Sequence, residues 1–190
     1  MRSLESLGIP YFTRHYVSRG FWEANTRIKP EFLMDCLRQF GGKNIVYLDA
    51  DSVVRSRPLL FDNFPAELGV YVAEQGLGYS HKYLTGTIFL RNTVEVHRFV
   101  QRWIDAQKGA RVEVDQDSFA VAVSESPDLR LVPLPAGYTK IFDREDMTGE
   151  VVIEHFQASR KRVKLAKILK RVRNISAFAL LLAVVVWVLF

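Results

Sequence analysis

Two acidic residues follow an apolar segment that is typical of a buried strand. Residues 44–49 (NIVYLD) are largely apolar up to the acid, and Ala50 separates Asp49 from Asp51. Strand side chains alternate between faces, so residues two apart project to the same side, and we predict that the two carboxylates lie together. Such a pair is costly unless a cation binds there. The pattern therefore predicts a site for Mg²⁺ or Mn²⁺, cations that also hold phosphate oxygens.

The acidic motif fits two classes of enzyme. Residues 49–53 (DADSV) resemble the metal-binding motif of GT-A glycosyltransferases and also the first motif of haloacid-dehalogenase-like phosphatases. The phosphatase interpretation needs a later lysine motif and a terminal acidic pair after a glycine-bearing strand. Asp143 and Asp146 are the candidates for that pair, and they lie in a polar segment. Both interpretations stay open at this point.

Elements on both sides of the acids have the periodicities of helices and strands. Pro30 stands in the first turn of a predicted helix, and Gly41-Gly42 ends it. The amphipathic face of this helix consists of Leu33, Cys36, Leu37 and Phe40. Residues 68–73 and 85–90 read as further strands, the second entered through Gly86.

The second half of the chain continues the alternation. Asn92 is the predicted N-cap of a helix, with Glu95 three residues on. Asp115 or Asp117 is the predicted cap of a short helix over 118–123. Short strands are predicted at 129–132 and 151–154. Apolar strands alternating with amphipathic helices predict an α/β sheet.

Several segments resemble, in order, those of GT-A glycosyltransferases of the glycogenin and lipopolysaccharide galactosyltransferase type. The similarity covers about residues 20–161. The matching segments are Thr26-Arg27-Ile28-Lys29, Tyr47-Leu48-Asp49-Ala50-Asp51, Pro58-Leu59-Leu60-Phe61, Thr85-Gly86-Thr87 with Asn92, Asp115-Gln116, and His155 with Ala158 and Lys161. The last segment matches a His-x-x-Gly-x-x-Lys motif, with alanine in place of glycine.

The resemblance implies a role for each of these residues. It makes Asp49, Asp51 and His155 the protein ligands of the metal. It places Asp115 and Gln116 at the reacting sugar. Residues implied to contact the nucleotide-sugar donor are Arg27, Lys29, Ala50, Thr85, Gly86, Thr87 and Lys161.

The implied fold is the Rossmann-like GT-A sheet with flanking helices. No opening apolar strand is evident before the acidic motif, so we expect the first strand of the sheet to be missing. The implied function is divalent-metal-dependent transfer of a sugar from a nucleotide-diphosphate sugar to a glycan or lipid-linked acceptor. Other interpretations are the phosphatase, a catalytically inactive membrane-bound nucleotide-sugar-binding protein, and a fragment of a longer enzyme.

The positive charge of the chain is concentrated near its end. The net charge is +5, but residues 160–173 hold eight basic residues and no acid; without them, 18 basic residues face 21 acidic ones. Because the charge is local, a nucleic-acid partner is not indicated. Residues 175–190 carry no charge, and 16 helical residues span ~24 Å, against a hydrocarbon core of ~30 Å.

These features predict three parts of the chain. Residues 1–158 form the GT-A-like domain, 159–174 a basic amphipathic helix on an anionic membrane surface, and 175–190 an apolar membrane segment. The basic residues flanking the apolar segment predict that the catalytic domain is on the cytoplasmic side.

Overall fold

Two β-sheets and five helices make up the part of the chain that the computed structural model describes, which is residues 1–20, 22–74, 77–109 and 114–156. The helices are α1 (Arg2–Ser6), α2 (Trp22–Thr26), α3 (Lys29–Gln39), α4 (Val94–Ala106) and α5 (Asp115–Ser124). The strands are β1 (Ile45–Leu48), β2 (Ser52–Val54), β3 (Leu68–Val72), β4 (Tyr83–Leu90), β5 (Leu131–Pro133), β6 (Lys140–Ile141) and β7 (Ile153–His155). Short 3₁₀ turns span Leu59–Asn63 and Ala136–Tyr138.

The larger sheet has four strands in the order β1-β4-β3-β5. β1 is antiparallel to β4, with Leu48 opposite Thr87, and β3 is parallel to β5. The pairing continues one residue beyond β1, where Asp49 N donates to Gly86 O at 2.9 Å. The carboxyl end of β1 therefore lies beside the small residues of β4. Among the described residues no strand precedes β1.

The smaller sheet has three strands in the order β2-β7-β6. In its antiparallel β2–β7 pair, Ser52 is opposite His155. Ile141 of β6 is the parallel partner of His155 on the other side. Phe156 N also donates to Asp51 O at 3.2 Å. This pairing brings the end of β7 to the turn between β1 and β2.

Helix α3 forms where the amphipathic pattern predicts it. Pro30 lies in its first turn, and Leu33, Cys36 and Leu37 are buried. Proline is tolerated there because the first N–H groups of a helix have no partner within the helix. The C-terminal end of α3 is held from outside: the side-chain amide of Asn92 donates to Leu37 O at 2.9 Å and to Phe40 O at 3.1 Å.

The predicted cap of helix α4 is wrong by one residue. Thr93 is the N-cap, and its hydroxyl accepts from Val96 N at 3.4 Å. Asn92 does not cap α4, because its amide nitrogen donates to the carbonyls that end α3 and its Oδ1, the atom that a cap would use, lies 2.8 Å from His97 Nε2. At α5 the N-cap is Val114, and the carboxylate of Asp117 accepts from Val114 N at 3.0 Å.

The main core lies between the larger sheet and helices α3, α4 and α5. Phe99, Trp103 and Phe119 are fully buried in it and meet edge to face or tilted, with ring centroids 4.9–6.2 Å apart. Each fully buried large apolar side chain contributes about 1.5–3 kcal/mol to folding. A second core cluster, containing Phe64, Phe89 and Ile153, packs beneath the smaller sheet.

The C-terminal predictions are outside the described residues. These are the end of the domain at residue 158, the basic helix 159–174 and the apolar segment 175–190. Within the ranges that the structure describes, no helix is long and apolar enough to cross a membrane.

Gly137 allows a close approach that positions β7. Val152 N donates to Gly137 O at 2.8 Å, and a Cβ built on Gly137 would lie 1.9 Å from the backbone oxygen of Glu150. We expect Gly137→Ala to lower the free energy of unfolding by about 1–3 kcal/mol because backbone atoms must move. The matched control is Gly41→Ala, whose Cβ meets nothing within 4 Å. Urea unfolding followed by circular dichroism measures both; equal stabilities would contradict the proposed packing.

Candidate metal site

Three side chains at the junction of the two sheets have ligand atoms close enough to share one metal ion. Single ligand atoms of Asp49, Asp51 and His155 all lie within 4.8 Å of one another. The strand was predicted to run through Asp49, but β1 ends at Leu48, and both acids lie in the turn before β2. The turn and the β2–β7 pairing, rather than strand alternation, bring the three together.

The imidazole of His155 is buried at this junction, with 4% of the residue exposed. Burial lowers the pKa of His155, although Asp49 and Asp51 act in the opposite direction. The ring therefore favours its neutral form, which is the form that binds metals. Its Nε2 lies 2.8 Å from Thr87 Oγ1, and Thr87 is itself fully buried.

Gly86 gives these side chains the room to approach the sheet. A Cβ at this position would lie 3.0 Å from His155 Cε1, 3.1 Å from His155 Nδ1 and 3.4 Å from Asp49 Oδ2. A side chain at this position would crowd both His155 and Asp49. In this structure the space above Gly86 is therefore used by the candidate metal ligands themselves.

The ammonium of Lys29 lies beside the metal group and bridges two carboxylates. Lys29 Nζ is 2.7 Å from Asp115 Oδ2 and 3.2 Å from Asp49 Oδ1. It also donates to Thr85 O at 3.0 Å and lies 3.2 Å from Thr85 Oγ1. Burial alone would lower the pKa of Lys29, but the nearby charges of Asp115 and Asp49 outweigh it and raise the pKa above its ordinary value. Lys29 is therefore a charged group inside the protein.

The carboxylate of Asp115 is held in the first turn of α5. Thr85 Oγ1 donates to Asp115 Oδ2 at 2.7 Å, in addition to the contact with Lys29. Trp103 Nε1 donates to the backbone oxygen of Asp115 and to Ser118 Oγ, each at 3.0 Å. The position at a helix N-terminus further favours negative charge. Asp115 is thus oriented by α4, β4 and α3 at once.

Tyr47 belongs to this network, although sequence reasoning did not select it. Its hydroxyl donates to Asp49 Oδ1 at 2.8 Å, and Lys29 Nζ lies 5.0 Å from the centre of its ring. Burial raises the pKa of Tyr47, so the hydroxyl stays protonated and acts as a donor. The available signal was its place two residues before Asp49 in the predicted strand, which would put both side chains on one face.

Three more predicted site residues lie in the described part of the chain, and a fourth lies outside it. Arg27 lies in the turn between α2 and α3, and its backbone oxygen accepts from Gln107 Nε2 at 3.1 Å. Ala50 is exposed between the two acids, and Gln116 is half-buried next to Asp115. Lys161 lies outside the described residues. The donor and catalytic roles of these side chains, and of Thr85, Gly86, Thr87, Lys29 and Asp115, stay predictions.

The acids that a phosphatase would need are engaged elsewhere or remain outside the metal group. Asp146 accepts from Arg144 Nε at 2.8 Å and from the Tyr79 hydroxyl at 2.7 Å. These hydrogen bonds, that of Arg144 first, lower the pKa of Asp146 to about 2. Asp143 is not part of the group formed by Asp49, Asp51 and His155.

The donor set fits a divalent cation. Two carboxylates supply hard oxygen ligands, and one neutral imidazole supplies a nitrogen, a combination that suits Mn²⁺ and also accommodates Mg²⁺ with additional oxygen ligands. A cation would also compensate the neighbouring negative charges of Asp49 and Asp51. The geometry and the chemistry of the site agree on this point.

Comparison with known proteins identifies the fold. No protein-family model and no curated protein matches the sequence. The structure is similar to a glycosyltransferase involved in the glycosylation of the major capsid of PBCV-1, with a TM-score of 0.66 and 14% identity; the match covers 85% of this chain and 84% of that one. The described domain therefore has the GT-A-like glycosyltransferase fold, and the predicted α/β class is confirmed.

Two further glycosyltransferase structures match at lower TM-scores. Mouse xyloside xylosyltransferase 1 matches with a TM-score of 0.44 and 19% identity over 76% of this chain and 68% of that one. The apo form of GlyE from Streptococcus pneumoniae matches with a TM-score of 0.49 and 16% identity over 82% of this chain and 42% of that one.

Removing the Lys29 charge should destabilise the protein strongly. We expect Lys29→Met to lower the free energy of unfolding by about 3–5 kcal/mol, because it leaves Asp115 buried without a compensating charge. The double variant Lys29→Met/Asp115→Asn should recover part of this loss, since asparagine carries no charge and still accepts from Thr85. Urea unfolding of the single and double variants completes a double-mutant cycle. A loss below about 1 kcal/mol, as for an exposed ion pair, would contradict the buried bridge.

Proposed function

We propose that this protein is a glycosyltransferase that moves a sugar from a nucleotide-diphosphate sugar to a glycan or lipid-linked acceptor, with Mn²⁺ or Mg²⁺ as its cofactor. The observation that carries the proposal is the group formed by Asp49, Asp51 and His155 at the carboxyl end of β1. In open α/β sheets, ligands bind beyond the carboxyl ends of the strands. The likeness to glycosyltransferases supports the fold in which this group is placed.

The leaving group of such a reaction is a nucleoside diphosphate. Negative charge develops on its oxygens as the bond to the sugar breaks, and a divalent cation stabilises that charge as a Lewis acid. Asp49, Asp51 and His155 would hold the cation. Asp49 is oriented by two donors, the ammonium of Lys29 and the hydroxyl of Tyr47, which both meet Oδ1. Oδ2 is the oxygen that faces Gly86 and His155.

Asp115 is suited to orient the donor sugar. Its Oδ2 is held by Lys29 and Thr85, so the group is rigid and its charge is supported. We therefore assign Asp115 as a hydrogen-bond acceptor for a sugar hydroxyl in preference to a general base. Gln116, the next residue, would face the reacting sugar from the same turn.

A donor-panel assay tests the function. We expect the full-length chain, purified in detergent, to hydrolyse or transfer from at least one nucleotide-diphosphate sugar when Mn²⁺ is present and not when it is chelated. Asp51→Asn should reduce that rate about 100-fold or more, since loss of one metal ligand removes several kcal/mol of transition-state stabilisation. The matched control is Asp128→Asn, an exposed acid in the turn after α5, which should keep the wild-type rate.

The donor-panel assay, calorimetry and a phosphatase assay together distinguish the other possible functions. Nucleotide-sugar binding by calorimetry without turnover would indicate an inactive binding protein. Release of phosphate from simple phosphomonoesters would indicate a phosphatase. Unchanged Mn²⁺ and nucleotide-sugar binding in Asp51→Asn would place the metal site elsewhere. Failure to bind any nucleotide sugar would overturn the proposal.

We propose in addition that residues beyond the described domain attach it to a membrane. The sequence of 160–173 combines eight basic residues with a stripe of Leu165, Ile168, Leu169 and Val172, as in interfacial helices on anionic lipid. The uncharged segment 175–190 would anchor the chain. With the basic residues on the cytoplasmic side, the domain would lie there, close to a lipid-linked acceptor.

Truncation separates the two modes of attachment. Deleting 175–190 should convert salt-resistant membrane association into salt-sensitive association, because charges are screened over ~8–10 Å at 0.1–0.15 M salt whereas burial of apolar area does not depend on counterions. Flotation with anionic vesicles at low and high salt measures the change. If the truncated protein stays with the vesicles after a high-salt wash, 175–190 is not the anchor.

A further inference from the structure

We propose that Thr87 is a positioning residue: its hydroxyl accepts a hydrogen bond from Nε2–H of His155 and so leaves Nδ1 as the atom offered to the cation. The inference rests on the metal site of the proposed function, but it concerns which ring nitrogen binds and what holds the other. It can fail while the metal site itself stands. The resemblance to GT-A enzymes gave Thr87 only a contact with the donor.

The two ring nitrogens of His155 have different surroundings. Nε2 lies 2.8 Å from the hydroxyl oxygen of Thr87, at hydrogen-bond distance. The ring edge formed by Cε1 and Nδ1 lies 3.0 Å and 3.1 Å from the point where a Cβ on Gly86 would be, and Asp49 Oδ2 is 3.4 Å from that same point. Nδ1 and Asp49 Oδ2 therefore border one space, whereas Nε2 is engaged by Thr87.

The chemistry of imidazole links the two sides. A neutral imidazole has one nitrogen with a proton and one with a lone pair. A cation takes the lone pair, so binding at Nδ1 requires the proton to be at Nε2. A buried N–H without an acceptor is unfavourable, and Thr87 Oγ1 is at the right distance to accept it. Both residues are almost fully buried, with 4% of His155 and 0% of Thr87 exposed.

The hydroxyl also suits the protein without its cation. A threonine hydroxyl is both a donor and an acceptor, so it can donate to Nε2 when the proton is at Nδ1. Valine has the same shape but neither capacity. Strand pairing determines where the hydroxyl lies: Thr87 is opposite Leu48 in β4–β1, and His155 is opposite Ser52 in β2–β7. Thr87 and His155 are thus the strand partners of the two residues that flank the acidic turn.

The first test identifies the ligating nitrogen by NMR, with Cd²⁺ as a diamagnetic probe. In the ¹⁵N-labelled full-length chain loaded with ¹¹³Cd²⁺, we expect coupling of cadmium to Nδ1 of His155 and a protonated Nε2. Coupling of cadmium to Nε2, or a proton at Nδ1 in the loaded protein, would overturn the assignment. No cadmium coupling to either nitrogen of His155, with Cd²⁺ bound, would remove His155 from the metal site and contradict the proposed function as well.

The second test compares Thr87→Val with Thr87→Ser. We expect valine to weaken Mn²⁺ binding about 10–100-fold in calorimetry, as is usual for loss of a hydrogen bond to a metal-binding histidine. Serine keeps the hydroxyl and should bind Mn²⁺ within about threefold of wild type, since that range is well under the loss expected for the bond. Equal affinity in Thr87→Val and wild type would overturn the role of Thr87. If Thr87→Val does not fold, the NMR assignment and the serine variant still decide the question.

Discussion

The buried ammonium of Lys29 is the interaction on which the geometry of the site depends. Asp49 and Asp115 are both anions, and they come from the end of a strand and the start of a helix. Lys29 Nζ lies 3.2 Å from the first and 2.7 Å from the second, and it also donates to Thr85 O. The ammonium forms ion pairs with both carboxylates and also donates to Thr85 Oγ1. These contacts offset its desolvation, as buried ion pairs require.

The second constraint is the turn that connects the two sheets. β1 ends the larger sheet and β2 begins the smaller one, with the two acids between them. Because β2 pairs with β7, His155 is delivered to the acids from a distant part of the chain. Gly86 then allows His155 and Asp49 to lie against the larger sheet without a side chain between them. The grouping of three side chains that could hold a metal at this point is a consequence of the topology.

The apolar core supports the site through Trp103. The indole is fully buried among Phe99 and Phe119, and its N–H donates to the backbone of Asp115 and to Ser118. Packing of α4 on the sheet thereby determines where the first turn of α5 lies. The carboxylate of Asp115 reaches Lys29 and Thr85 because the helix that carries it is placed by the core. Stability and site geometry are coupled through one side chain.

Much of the fold could be read from local patterns, because helices and strands depend on the spacing of apolar residues. Helices α3 and α4 and strands β1, β3 and β4 were predicted within a few residues, and the type and spacing of Asp49 and Asp51 pointed to a cation. One error arose because two helices compete for the same side chain. Asn92 is engaged by the end of α3 and by His97, so Thr93 is the N-cap of α4.

Sequence alone determined which groups can do chemistry, and the tertiary structure decided what each one faces. The sequence predicted that Lys29 contacts the nucleotide-sugar donor. The folded structure shows that its ammonium also contacts Thr85, 56 residues away in the sequence, and two carboxylates. The sequence predicted that Thr87 is a small residue near the donor sugar. The folded structure shows that its hydroxyl also contacts His155, 68 residues away in the sequence. The periodicity of a segment indicates which of its own side chains are buried, but not which distant residues they contact. Contacts between distant residues exist only once the strands pair and the core closes, so the charge of Lys29 and the orientation of His155 were decided by the folded structure.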